Sequence, residues 1–354
     1  MLKGNSAIAN PGRRHVLACA TGLSTLALLG HQAAAAATAV RPADMPSRDA
    51  LRTAVNDAHH QFTGLTEGKN ADYIPYLATV PSSLFGIAVV TATGETITVG
   101  DVDYAFAIES ISKLFTLGLV MDDIGADALR KKIGASPTGM PFNSVQAIEL
   151  HGGKPLNPFV NAGAIATTSL VPGSSPEAKW ANIIGEMSAF AGHELKVNEQ
   201  VYKSESDTNQ HNRGIAMLLQ SYGFMYSDPM AATDLYTRQC SVAVSAKDLA
   251  TMGAVLAARG VHPVSGKRVL KEANVREMLA EMTLNGMYDA SGDWLYQVGL
   301  PAKSGVGGGV LSVVPGKMAI AAFSPPLDAY GNSVRAQAAI GHISRQLKLG
   351  IFGA

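Results

Sequence analysis

The sequence predicts an α+β fold: one antiparallel sheet covered by helices from the two chain ends, with a second, helical lobe inserted between its strands. Three observations predict it. Strand-like runs rich in Val, Ile and Thr lie near both ends of the chain, a long stretch from about 125 to 285 is mostly helix and loop, and a helical pattern flanks the strands on each side. In order, apolar residues recur at helical spacing from Asp49 to Phe62, and GKNADYIPYL (Gly68 to Leu77) reads as a loop broken by Pro75. Leu84 to Val90 and Thr96 to Val99 form a hairpin around Thr91-Ala92-Thr93-Gly94-Glu95, and an apolar helix follows from about Ile111 to Met121. In the middle, Ser175-Pro176 is an N-cap with a first-turn proline, and Ser245-x-x-Asp248 opens a helix that Gly260 closes. Strand character returns at Trp294 to Leu300, Gly309 to Val314 and Met318 to Phe323, the last two joined by a Pro315-Gly316 turn. An amphipathic helix from about Ser333 to Leu347 ends the pattern. The two hairpins are expected to pair into one sheet, and a ligand cleft is expected between sheet and helical lobe.

The 354 residues are 47% hydrophobic and 16% charged, with 28 basic residues against 28 acidic ones. That balance excludes a disordered chain and argues against a nucleic-acid binder, which needs a basic excess. Two cysteines, Cys19 and Cys240, are too few for a disulfide framework or a cysteine zinc site. The nine histidines show no metal-ligand spacing, so no metal is expected. No acidic residue precedes Asp44, and Arg13-Arg14 stands before the apolar run Val16 to Gly30 and the alanines Ala33 to Ala37. Residues 1–37 therefore read as a cleaved signal peptide of the twin-arginine type, leaving a single domain over 38–354 and a periplasmic or secreted protein with no stable membrane association.

Two motifs fall where the chain must come together. Ser110-Ile111-Ser112-Lys113 opens the apolar helix, and residues three apart on a helix share a face, so hydroxyl and amine can meet. A serine there lies in the positive field of a helix N-terminus, and a buried lysine can act as its base once burial lowers its pKa. Alone the motif is weak, since on the order of one S-x-x-K arises by chance in a chain this long. Lys303-Ser304-Gly305, before Val306-Gly307-Gly308-Gly309, strengthens it. The backbone N–H of Val306 can then join that of Ser110 as an oxyanion donor. This order is the pattern of penicillin-recognising serine enzymes.

A more specific resemblance covers about 45 to 350. ADYIPYL (71–77), ESISKLF (109–115), NPFVNAGAI (157–165), SESDTNQHNRGIA (204–216), DLYTRQCSV (234–242), NGMYDASG (285–292) and GLPAKSGVGGGV (299–310) resemble, in order, the blocks of the serine-dependent glutaminases. The resemblance implies a β-lactamase-like fold, hydrolysis of L-glutamine to L-glutamate and ammonia through a seryl ester, no cofactor, and a homodimer or homotetramer. It implies Ser110 as nucleophile and Lys113 as base, with Tyr236 or Tyr288 relaying protons. It also implies a substrate pocket of Tyr73, Asn161, Glu205, Asn212, Tyr236, Tyr288 and the backbone of Val306. The chemistry is consistent, because free glutamine carries one ammonium and one carboxylate, which one acid and several neutral donors can receive. Singly, these residues have plainer readings: Tyr73 and Tyr236 as half-buried interface tyrosines, Asn161 as a turn residue, Glu205 as a solvated carboxylate in a polar loop. Glu109 stands where many relatives carry Gln, and it is expected either to pair with Lys113 or to face away. A β-lactamase or D-alanyl peptidase, and a glutamine sensor without turnover, are the other readings these motifs allow.

Overall fold

In the computed structural model, residues 44–353 are described; the twin-arginine segment lies outside them. Among the described residues, eight strands form two sheets: β1 Gly86–Thr91, β2 Thr96–Gly100, β3 Phe106–Ala107, β4 Lys196–Val197, β5 Val242–Val244, β6 Ala302–Gly305, β7 Gly309–Val314 and β8 Met318–Phe323. The large sheet is antiparallel in the order β2-β1-β8-β7-β6, and the small one runs β3-β5-β4. Both hairpins predicted from the chain ends thus meet in one sheet, with Val89 opposite Ile320 and Ile87 opposite Ala322 across the β1–β8 seam.

Side chains alternate across the large sheet. Ile87, Val89, Val310 and Ile320 face the terminal helices Arg48–Phe62 and Val334–Leu347, packing on Leu51, Val55, Ile340 and Ile343. Ala88, Val90, Leu311 and Ala319 face the opposite way, onto Leu249, Met252 and Val255 of the helix Ala246–Ala257. Because both faces are covered, β1, β7 and β8 are buried at every position, which is why they read as unbroken apolar runs.

The caps behave as the residue types dictate. Ser175 Oγ accepts from the Ala178 N–H before the helix Pro176–Ala191, and Ser245 with Asp248 makes a full capping box. The box helix ends at Ala257, before Gly260, which takes a positive φ in the following turn. Pro75 starts a short helix, Pro75–Ala78, inside the segment expected to be loop.

One expected strand is a helix. Trp294 to Leu300 belongs mostly to the helix Ser291–Val298, where Ser291, Trp294 and Val298 are buried at helical spacing and Tyr296 is 92% exposed. Gly299, at φ 71°, ends it, and the Trp294 indole N–H donates to the Leu300 carbonyl at 2.7 Å. The fifth strand is instead β6, the Lys303-Ser304-Gly305 segment itself, which is buried throughout.

The small sheet locks the lobe to the large one. The ring of Phe106 on β3 stacks on Phe323 of β8 at 4.0 Å, and the Ile108 N–H donates to the Val242 carbonyl at 2.9 Å. These contacts fix the chain immediately before the helical turn Glu109–Ile111 and the helix Ser112–Ile124. Between 126 and 285 the chain is largely helical, as its patterning predicts.

Candidate active site

Ser110 lies at the junction of turn and helix, 7% exposed, at the floor of a cleft of about 240 Å³ between the β6 end and the helical lobe. The close approach of β6 to this turn needs glycine. A Cβ on Gly307 would sit 2.3 Å from the Ala107 carbonyl, and one on Gly305 2.7 Å from that of Ile108. The glycines after Lys303 therefore admit the protein's own backbone beside Ser110, and Val306, held between them, lines the cleft with Ser110.

Lys113 is buried beneath the cleft, and its amine donates to the Phe159 carbonyl at 2.9 Å and to Asn161 Oδ1 at 2.8 Å. Burial lowers its pKa to about 8. A neutral amine has two hydrogens and one lone pair. The two acceptors take the hydrogens, which leaves the lone pair for a third neighbour, and Ser110 stands one helical turn earlier on the same face.

Asn161, the first residue of the helix Asn161–Ser169, links the two sides of the cleft. Its Oδ1 also accepts from the Tyr236 hydroxyl at 3.2 Å, and its Nδ2 donates to Asn212 Oδ1 at 3.0 Å. The Lys113 ammonium position lies 5.6 Å over the Tyr236 ring. Tyr73 stands at the mouth, 56% exposed as a residue. Burial of its hydroxyl end holds that hydroxyl above its usual pKa range, and the nearby Tyr288, Glu109 and Glu205 raise it further.

Glu205 sits on the helix Glu199–Thr208, not in a loop, and its carboxyl lines the cleft half-buried. Glu109 faces it and does not hydrogen-bond Lys113: oxygens of the two carboxyl groups lie within 4.8 Å of one another. Burial and the Glu205 carboxylate push Glu109 well up, and burial raises Glu205 to about 7. Cys240 Sγ lies within 4.8 Å of both carboxylates, an arrangement that could hold a cation, but burial keeps this thiol protonated and a thiol binds metal as thiolate.

Of the predicted pocket residues, Tyr73, Ser110, Asn161, Glu205, Asn212, Tyr236 and Val306 line this one cleft. Tyr288 reaches Ser110 from behind and lines an adjoining cavity of about 400 Å³. Its hydroxyl donates to the Ser304 carbonyl at 3.2 Å, while the Ser110 hydroxyl and the Val306 N–H also reach its oxygen. The two tyrosines are thereby distinguished: Tyr288 touches the serine, Tyr236 the Asn161–Lys113 pair. Lys303 does not line the cleft. It is fully buried, donates to the carbonyls of Ser304 and Gly286 at 2.6 and 3.2 Å, and lies 4.6 Å over the Tyr288 ring. Burial, then the nearby Lys113, drives its pKa well down.

Sequence reasoning missed Phe142, which lines both cavities and packs its ring 4.9 Å from that of Tyr288. Nothing in the short segment Met140-Pro141-Phe142-Asn143 marks it in advance.

The fold and this constellation define a β-lactamase-like protein with an amino-acid-sized cleft over a Ser–Lys pair. The glutaminase family model matches residues 68–352. A glutaminase of Brucella canis is 62% identical over 301 residues, 85% of this chain and 95% of its own length, and one of Mycobacterium ulcerans is 57% identical over 302 residues, 85% and 94%. Among solved structures, "Probable glutaminase ybaS" superposes with a TM-score of 0.86 at 54% identity, covering 87% of this chain and 100% of that one. A Bacillus subtilis structure described as a probable glutaminase gives 0.78 at 30%, covering 85% and 96%. The chain belongs to the glutaminase family.

Proposed function

We propose that this glutaminase hydrolyses the side-chain amide of L-glutamine through a glutamyl ester on Ser110. The observation that carries the mechanism is the buried amine of Lys113, whose two hydrogens have acceptors and whose pKa lies near 8.

The amide carbonyl carbon would stand over Ser110 Oγ. Lys113 takes the hydroxyl proton as Oγ attacks, and the oxygen that gains charge lies against the N–H groups of Ser110 and Val306. The tetrahedral intermediate collapses to the ester when the amide nitrogen is protonated and leaves as ammonia. Tyr288, in hydrogen-bond contact with Ser110, is the nearer relay for that proton, and in the second half-reaction for the proton of the attacking water. Glu205 receives the substrate ammonium, while Asn161, Asn212 and the Tyr73 hydroxyl orient the α-amino-acid end without adding a second cation.

The test is a paired assay of glutamate and ammonia on wild type and Ser110→Ala. Equal release of both products by the wild type, with turnover abolished and glutamine binding retained in the variant, is the expected result. Turnover that survives Ser110→Ala would overturn the ester.

We also propose that the Arg13-Arg14 segment directs twin-arginine export, and that the exported protein is a homo-oligomer. Recovery of the protein in the cytosolic fraction alone would refute the first, and a monomer mass in sedimentation the second.

A further inference from the structure

The ammonium end of the cleft contains one more acid than a substrate with one ammonium requires. Glu109 is 3% exposed, and its backbone takes the strained φ of 51° that turns its side chain into the cleft. One of its oxygens, Oε1, is buried without a hydrogen-bond partner. An oxygen of its carboxyl lies within 4.8 Å of one of Glu205. The other titratable groups facing Glu109 are Lys113 on its own helical segment, Tyr73 at the mouth, Tyr236 and Cys240 on the helix Pro229–Cys240, and Tyr288. Lys113 alone among them can be positive, and the two hydrogen bonds its amine makes go to Phe159 and Asn161, not to Glu109.

Two carboxylates this close at a buried site cannot both ionise at little cost, and a single proton between them satisfies both. We propose that Glu109 sets the charge of the ammonium subsite by sharing one proton with Glu205, so that the empty site carries one negative charge, matched to one ammonium. Glu109 donates through its protonated oxygen and Glu205 accepts, while the other oxygen of Glu109 stays buried without a partner, which disfavours a second negative charge there. At higher pH this proton leaves and the subsite becomes doubly negative. Selection for substrates bearing an α-ammonium then rises. This proposal rests on the glutaminase reading and makes Glu109 a specificity-determining residue within it.

The experiment compares L-glutamine with glutaramate, which is glutamine without its α-ammonium, as substrate or competitive inhibitor across pH, in wild type and Glu109→Gln. The ratio of the two cancels the titration of Lys113, which acts on both amides alike. In wild type the preference for glutamine should grow by about tenfold above neutrality, over the range in which the substrate's own α-ammonium keeps its proton, the equivalent of one pKa unit of interaction. In Glu109→Gln any rise should end once Glu205 itself has ionised, with no further alkaline step. Parallel curves in the two proteins would overturn the proposal. Difference infrared spectra of wild type minus variant give a readout independent of turnover. A protonated-carboxyl band at neutral pH is expected, with the contributions of buried Glu186 and Glu281 cancelling, and absence of the band refutes the shared proton. If the wild type releases no glutamate from glutamine, the functional reading fails while the infrared band still decides the proton. Should Glu109→Gln misfold, Glu205→Gln serves: the band must persist but titrate away at lower pH, because the neighbouring charge is gone, and an unchanged titration counts against the proposal.

Discussion

Asn161 Oδ1 accepts from Lys113 Nζ at 2.8 Å, while the amide nitrogen of the same side chain donates to Asn212. One asparagine therefore ties the buried amine to the rim of the cleft. Its amide offers an acceptor with no charge, so Lys113 is positioned without the carboxylate that would keep it protonated. An aspartate in its place would raise the amine's pKa and silence it as a base near neutrality.

The first prediction follows from that environment. Lys113 must be neutral to accept the Ser110 proton, and its pKa is about 8. The rate constant kcat/KM should rise with pH through that value and level off above it. Lys113→Arg, which stays cationic at any accessible pH, should be inactive across the whole profile. Steady-state kinetics over a pH series check both, and an Arg variant active at high pH would count against Lys113 as base.

Tyr288→Phe removes the hydroxyl shared by Ser110, Val306 and Ser304 while leaving the ring stack with Phe142 in place. A proton relay lost from the transition state should lower kcat by roughly 10²–10⁴-fold with little change in KM. Tyr236→Phe breaks only the bond to Asn161 and should have the smaller effect on kcat. Equal losses in the two variants would remove the distinction between the tyrosines.

Gly307→Ala places a methyl 2.3 Å from the Ala107 carbonyl, where both partners are backbone and cannot move independently. Overpacking of this kind costs about 1–3 kcal/mol. Here it should also push Val306 away from Ser110, so thermal unfolding and kcat should both fall. A variant with lowered Tm and full kcat would show that the contact is only structural.

Ile320→Ala empties a fully buried position on the face of β8 that packs on the terminal helices, opposite Val89. A loss of about 2–5 kcal/mol is expected in urea unfolding, and the glutamine KM should be unchanged because the cleft lies beyond the opposite face of the sheet.

Much of the fold was legible because local patterns coincide with tertiary ones. The runs at 309–314 and 318–323 are buried on both faces and cannot be anything but inner strands once the turn at Pro315-Gly316 is seen. The segment at 294–300 failed because a short apolar stretch without strict alternation suits either a strand or a helix. Its fate was decided by the burial of Trp294 and Val298 and by the αL geometry of Gly299. Strand β6 was missed as a strand for the converse reason: Ala302-Lys303-Ser304-Gly305 has no strand propensity, and it pairs because the turn carrying Ser110 and the ring of Tyr288 cover it.

The chain itself determined the elements that depend on near neighbours: helix periods, caps, turns, and the one-turn spacing that sets Ser110 and Lys113 on a common face. Residue blocks shared with the glutaminases located the pocket residues in the same way, one segment at a time. Only the tertiary structure decided which of those segments confront each other. It turned Glu109 towards Glu205 instead of Lys113, put Tyr288 rather than Tyr236 against the serine, and buried Lys303 behind the cleft. The physical reason is that charge states and hydrogen-bond partners in a dry site depend on distance and burial, and between residues far apart in the chain those quantities exist only once the sheet and the helical lobe have closed on one another.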